Sequence, residues 1–247
     1  MADYNDPRAG TTGLGAGFGS VPRAGGQVVF DAGLRKHMLS IYNYMTSGVL
    51  LTGIVALLTF NSGLAVTFAT GPLMWIVALS PLAIVFAMSF GANRFSKSTL
   101  QIMFWAFAAL MGLSLSTIFL RFTGTSIAVT FFATAAAFAG LSLYGYTTSK
   151  SLSGFGTFLI MGVVGLLVAM VANMFIQSPA LMYAISAIGV LIFAGLTAYD
   201  TQRLKNEYAV LRGTEFAGKA IVLGALTLYL DFINMFQFLL SFMGNRE

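Results

Sequence analysis

Seven long apolar stretches follow one another along the chain, separated by short segments rich in Gly, Pro, Asn, Ser and charged residues. A helix needs about 20 apolar residues to cross the roughly 30 Å of hydrocarbon in a bilayer, and each stretch is about that long. The runs are continuous and lack period-two alternation, so they predict helices and not the strands of a barrel. The predicted spans cover residues 39–60, 73–93, 99–120, 126–146, 155–176, 181–200 and 220–243.

The composition places these stretches in lipid. Of the 247 residues, 57% are hydrophobic and only 9% are charged, whereas about a quarter of the residues in a soluble domain are charged. The predicted fold class is therefore an all-α polytopic membrane protein with seven transmembrane helices. The chain has no cysteine and one histidine, His37, so we expect no thiolate or histidine metal centre and no bound cofactor.

The first 36 residues differ from the rest, because they are rich in Gly, Ala and Asp and contain no apolar run. We interpret residues 1–36 as a flexible cytoplasmic tail, since a signal peptide would have a basic start followed by an apolar core. Residues 37–247 form the predicted membrane domain. The glycine run Gly13–Gly19 lacks the spacing of a dinucleotide-binding loop and is predicted to be linker.

Lys and Arg residues are distributed unevenly between the two sides of the predicted bundle. Eleven of the thirteen lie on the side of the N-terminal tail, and only Arg121 and Arg246 lie on the other side. Because cytoplasmic segments carry the excess of Lys and Arg, the N-terminus is predicted to be cytoplasmic and the C-terminus outside. This pattern explains the net charge of +5 without a nucleic-acid partner. The short loops and absent cysteines indicate a bacterial inner membrane.

Two of the eight acidic residues lie in the apolar runs. An unpaired charge at the position of Asp231, well inside the last span, costs at least about 2.5–3.5 kcal/mol. Asp231 is therefore either a functional group or a neutral acid that ties helices together. Asp200 ends the sixth span, where a boundary charge that is solvated or paired with Arg203 is as good an interpretation as a functional one. Asn234 lies one turn beyond Asp231 on the same helix face.

Arg94 closes the second span on the inner side. It either reaches the headgroups as part of the positive-inside charge or contacts an inner-side carboxylate. If the last helix begins near Lys219, Asp231 lies about 18 Å along it, whereas Asp200 lies at the membrane edge. A meeting of the two aspartates then requires a helix that begins outside the hydrocarbon, or a water-filled cavity open to the cytoplasm.

Two segments resemble a known family. Phe193–Gln202 and Leu228–Phe236, the second with the run Leu-Tyr-Leu-Asp-Phe-Ile-Asn, are similar to motifs of the Bax inhibitor family, also called the transmembrane Bax inhibitor motif family. The resemblance extends from about residue 37 onward and includes Gly112–Leu115, but it does not cover the glycine-rich tail. It implies a seven-helix bundle with the last helix at its centre.

The resemblance also implies a function, because members of the family are pH-sensitive calcium leak channels. It implies that Asp200 and Asp231 form a proton-sharing pair that gates the channel, and that Arg94 pairs with one of them as a latch. Tyr199 and Asn234 are the expected supporting polar residues. The two aspartates, with carbonyl and water oxygens, are expected to bind calcium weakly, as suits a conducted ion. The first five spans contain no acid, which departs from the family pattern and argues against tight calcium binding.

Three other functions fit parts of this pattern. A proton-coupled transporter of a small solute would carry similar buried acids, although the sequence shows no convincing inverted repeat. A membrane regulator that binds a membrane protease or another partner protein would conduct nothing. An intramembrane enzyme is the weakest alternative, because the spans contain no Ser/His or His-rich constellation, and we predict that the protein is not an enzyme. We also expect the protein to bind protons and to contact the lipid bilayer.

Overall fold

The computed structural model describes residues 32–245, and its helices follow the predicted apolar runs. The elements are α1 (Ala32–Asn61), the short α2 (Leu64–Ala69), α3 (Leu73–Gly91), α4 (Lys97–Leu115) with a 3-10 turn over Ser116–Leu120, α5 (Gly124–Thr147), α6 (Ser153–Ile176), α7 (Pro179–Leu211) and α8 (Ala217–Met243). Within the described range, all but α2 are long and apolar enough to cross a membrane, which makes seven candidate spans. The predicted all-α polytopic membrane class is confirmed.

Two helix boundaries differ from the sequence prediction. α1 begins at Ala32, so residues 32–36, assigned above to the tail, are helical; residues 1–31, with the run Gly13–Gly19, lie outside the described residues. α7 continues past Asp200 to Leu211, so Glu207 lies on this helix and not in a loop. Hydropathy detects where lipid contact ends, whereas the hydrogen bonds of a helix can continue beyond that point.

α8 lies at the centre of the bundle. It packs against α1, α4, α5 and α7, and 61% of its most apolar stretch is buried, against 11% in α3 and in α6. Its buried Tyr229 contacts Oγ1 of Thr52 at 2.6 Å, and Thr52 donates its single hydroxyl proton to the carbonyl of Ala108 (2.8 Å), so Tyr229 is the donor to Thr52. The expected central position of the last helix is confirmed.

One end of the bundle, which we call the basic end, comprises the start of α1, the α3–α4 turn, the α5–α6 loop and the α7–α8 turn. Lysine side chains cap the C-terminal ends of helices there. Nζ of Lys205 donates to the carbonyl of Tyr146 (2.7 Å) near the end of α5, and Nζ of Lys219 donates to the carbonyl of Ala92 (3.3 Å) just after α3. Both lysines thus satisfy carbonyl groups that a helix end leaves without an intrahelical partner.

α5 and α7 cross closely at Gly145. A Cβ atom on Gly145 would lie 2.2 Å from the carbonyl oxygen of Ala198, a distance that no side chain can occupy unless the helices move apart. Small residues of this kind allow helix backbones to approach one another in lipid. Because Ala198 lies two residues before Asp200, this crossing sets the position of α5 against α7 next to that acid.

A methyl group at this crossing is therefore expected to destabilise the bundle. Gly145→Ala forces the two backbones apart, and overpacking of this kind costs about 1–3 kcal/mol, so the thermal unfolding midpoint of the purified protein in detergent falls. Gly140→Ala is the matched control in the same helix, because nothing lies within 4 Å of a Cβ atom there. It leaves the midpoint unchanged or raises it. Equal midpoints for the two variants would show that the crossing is not tight.

Candidate functional site

The candidate site lies in the antiparallel hairpin of α7 and α8. The connection covers residues 212–216, where Gly213 has a positive φ of 79°, a conformation that glycine adopts without strain. Asp200 lies eleven residues before the end of α7, and Asp231 lies fourteen residues after the start of α8. These separations are about 16 Å and 21 Å at 1.5 Å per residue. The extension of α7 therefore brings the two acids to similar depths.

The side chains of Asp200 and Asp231 meet between α7 and α8, within hydrogen-bonding reach of each other. Both residues are buried, with 5% and 4% of their surfaces exposed. Oδ2 of Asp231 has no hydrogen-bond partner among the described residues. Two carboxylates this close in a low-dielectric interior repel each other strongly when both are ionised, so the arrangement favours one proton held between them.

Arg203 is the basic residue that contacts the aspartate pair. Its Nη2 atom lies 3.0 Å from Oδ1 of Asp200, and its Nε atom lies 3.4 Å from Oε1 of Glu207. The contact with Asp200 is an ion pair without the alignment of a hydrogen bond. The three side chains lie on one face of α7, and their exposure rises from 7% at Asp200 to 38% at Arg203 and 45% at Glu207. A row of alternating charges thus connects the buried pair with the surface.

The other predicted site residues lie apart from the two carboxylates. Arg94 is exposed in the turn after α3, and no ion pair between described residues involves it. Asn234 turns back onto its own helix, where Nδ2 donates to the carbonyl of Leu230 (2.8 Å). The centroid of the Tyr199 ring lies 5.9 Å from the central carbon of the Arg203 guanidinium. Tyr199 thus lies beside Arg203, and its supporting role stays a prediction, while the amide nitrogen of Asn234 bonds to its own helix.

Gln202 makes polar contacts beside the site that the sequence analysis did not identify. Its Oε1 accepts from the backbone N–H of Leu152 (2.8 Å), and its Nε2 donates to the carbonyl of Lys150 (2.8 Å). One buried side chain thus holds the α5–α6 loop against α7. The only signal in the sequence was its place next to Arg203, in the polar stretch that follows the sixth apolar run.

The fold and the buried acid pair define an integral membrane helical bundle with an ionisable centre. Residues 34–247 match the family described as inhibitor of apoptosis-promoting Bax1, so the chain belongs to the Bax inhibitor family. The resemblance of the two aspartate-containing segments is thereby confirmed.

Relatives in several bacteria match nearly the whole chain. Inner membrane protein YbhL of Escherichia coli is 44% identical over 230 residues, which cover 92% of this chain and 98% of YbhL. An uncharacterized protein of Caulobacter vibrioides is 46% identical over 242 residues, with 92% and 96% covered. Protein RP147 of Rickettsia prowazekii is 44% identical over 220 residues, with 88% and 93% covered. Each alignment thus covers most of both chains.

Proposed function

We propose that this chain is a pH-sensitive leak channel for calcium. The Asp200–Asp231 pair is its gate. The observation that carries the proposal is the contact between these two buried carboxylates, which come from neighbouring helices of the central hairpin. A shared proton gives the pair two charge states that depend on pH. A group with two charge states at the centre of a helical bundle is what a proton-controlled gate requires.

Calcium is proposed as the ion that passes and not as a resident metal. Within residues 32–245, no group of three or more His, Asp or Glu side chains is placed to hold a metal ion. The pair supplies two carboxylates, of which Asp200 already contacts Arg203, whereas calcium prefers six to eight oxygen ligands. Oδ2 of Asp231, which is buried and has no hydrogen-bond partner among the described residues, is the oxygen that we propose contacts a passing cation once the gate opens. Such weak binding allows an ion to leave as well as enter.

Arg203 is proposed to act as the latch in this conformation. Protonation of Asp200 removes the negative charge that holds the guanidinium, and Glu207 remains nearby to receive it. We propose that this loss of charge changes how Asp200 and Arg203, both on α7, contact Asp231 of α8, and that the change at the α7–α8 interface opens the leak, so flux rises as pH falls. The sequence analysis assigned the latch to Arg94, and a contact between Arg94 and the pair stays a prediction about a second conformation.

We place the basic end of the bundle in the cytoplasm, because Lys150, Lys205 and Lys219 lie there and cytoplasmic segments carry the excess of positive charge. An odd number of crossings then puts the C-terminus outside. The name of the relative YbhL indicates the inner membrane of a bacterial cell. In this orientation the partly exposed Arg203 faces the cytoplasmic side, so the gate responds to cytoplasmic pH.

Calcium flux through liposomes that contain the purified protein tests the gate. We expect native flux to rise between about pH 8 and pH 6, by at most about tenfold per pH unit for a one-proton gate. Asp200→Asn and Asp231→Asn keep the shape of the side chain but cannot titrate, so both lose this dependence. Glu215→Gln is the matched control, because it removes an exposed acid from the α7–α8 turn and no ion pair between described residues involves it.

Two outcomes would contradict this proposal, and they differ in what they exclude. If the native protein passes no calcium at any pH, the channel function is wrong, and a membrane regulator or a solute transporter explains the protein better. If flux and its pH dependence are unaltered in both aspartate variants, the channel remains but the assignment of its gate to the pair is wrong.

The latch is tested by a comparison of Arg203→Gln with Arg94→Gln in the same liposomes. Loss of a partly exposed ion pair worth about 1 kcal/mol is expected to raise flux in Arg203→Gln about fivefold at roughly pH 8. In the native protein this contact with Asp200 holds the guanidinium. Arg94→Gln is expected to stay close to native. The reverse result, with an effect only in Arg94→Gln, would move the latch to Arg94.

A further inference from the structure

A groove lies between α1 and α4 on the outer surface of the bundle, in the half nearer the basic end. Its volume is about 550 Å³, within the roughly 300–1,000 Å³ of typical ligand sites. Most of its lining side chains carry hydrogen-bonding groups: Asn43, Tyr44, Ser47, Ser98, Gln101 and Trp105. Polar groups on a surface that faces lipid are unfavourable unless they find a polar partner. The groove thus combines these polar groups with a mainly apolar surface, which suits an amphipathic occupant.

Several donors in the groove are free to bind a ligand. Gln101 donates through Nε2 to the hydroxyl of Tyr44, so the O–H proton of Tyr44 remains available. Ser47 donates to a carbonyl of its own helix (2.6 Å). Among the described residues, the side chains of Asn43 and Trp105 make no hydrogen bond. The groove thus presents an amide, a phenol and an indole N–H to a ligand that accepts hydrogen bonds.

A positive charge lies beyond the groove on the same helix face. Lys36, Ser40, Asn43 and Ser47 follow at the spacing of one face of α1. Lys36 is exposed and lies seven residues before Asn43, about 10 Å along the helix axis towards the basic end. From the membrane surface inward, this side of the bundle therefore presents first a cation, then neutral hydrogen-bond donors, and then apolar helix. Tyr and Trp side chains favour the same interfacial depth.

We propose that this groove binds an anionic glycerophospholipid from the leaflet at the basic end. Lys36 binds the phosphate, and Asn43, Tyr44 and Trp105 donate to the phosphate and glycerol-ester oxygens, which only accept hydrogen bonds. A second transmembrane helix fits less well, because its backbone groups are already bonded within the helix. The site is independent of the channel proposal, since none of its residues touches the aspartate pair.

Native mass spectrometry of the full chain in detergent, titrated with phosphatidylglycerol or phosphatidylcholine, tests the groove. The native protein is expected to prefer phosphatidylglycerol. Asn43→Leu combined with Tyr44→Phe lowers phosphatidylglycerol affinity about tenfold, because two of the proposed hydrogen bonds to the lipid are lost. Lys36→Gln reduces the preference for the anionic lipid about fivefold. Thr46→Leu is the matched control, because Thr46 is also exposed on α1 but does not line the groove.

Fluorescence of Trp105 provides a second readout that does not depend on the groove variants. The chain has two tryptophans, so Trp75→Phe leaves Trp105 as the sole reporter. A nitroxide near the glycerol of phosphatidylglycerol is expected to quench it more than the same label on phosphatidylcholine. Equal lipid binding by the double variant and Thr46→Leu would overturn the proposal. Equal quenching by both lipids would also overturn it, as would cross-linking of the native groove to a protein helix with no lipid bound.

Discussion

The contact between two buried carboxylates is the constraint on which the rest of the structure depends. A lipid-embedded bundle tolerates such a pair only where protons, a counter-charge or water compensate it. The surrounding structure provides compensation from several directions. The extension of α7 carries Arg203 to the pair, Gly145 lets α5 close against α7, and Gln202 holds the α5–α6 loop in place. Asp231 lies on α8, the most buried of the seven candidate spans among the described residues.

The sequence predicted the spans and the two acids but not the way in which they meet. Asp231 was evident because a single acid interrupts a long apolar run. The role of Arg203 was not resolved, because hydropathy ended the sixth helix at Asp200, whereas the helix continues to Leu211. Helical spacing placed Asn234 on the face of Asp231, but spacing does not fix a rotamer, and its amide bonds to its own backbone.

The two proposals concern different halves of the same bundle. The gate lies between α7 and α8, and the lipid groove lies between α1 and α4. The core joins them, because Tyr229 of α8 bonds to Thr52 of α1, which in turn bonds to Ala108 of α4. Both open towards the basic end, where Lys205 and Lys219 close helix ends. In the two proposals, that end combines proton sensing with contact to anionic lipid headgroups.

The most direct test of the central claim is the infrared spectrum of the purified protein at roughly pH 7, in the region of the carbonyl stretch of protonated carboxylic acids. A shared proton predicts one such band in the native protein. The band shifts or disappears in Asp200→Asn and in Asp231→Asn, and it persists in Glu215→Gln. A native spectrum without a protonated carboxyl band, or a band that neither aspartate variant alters, would contradict the account of the pair as a proton-sharing gate.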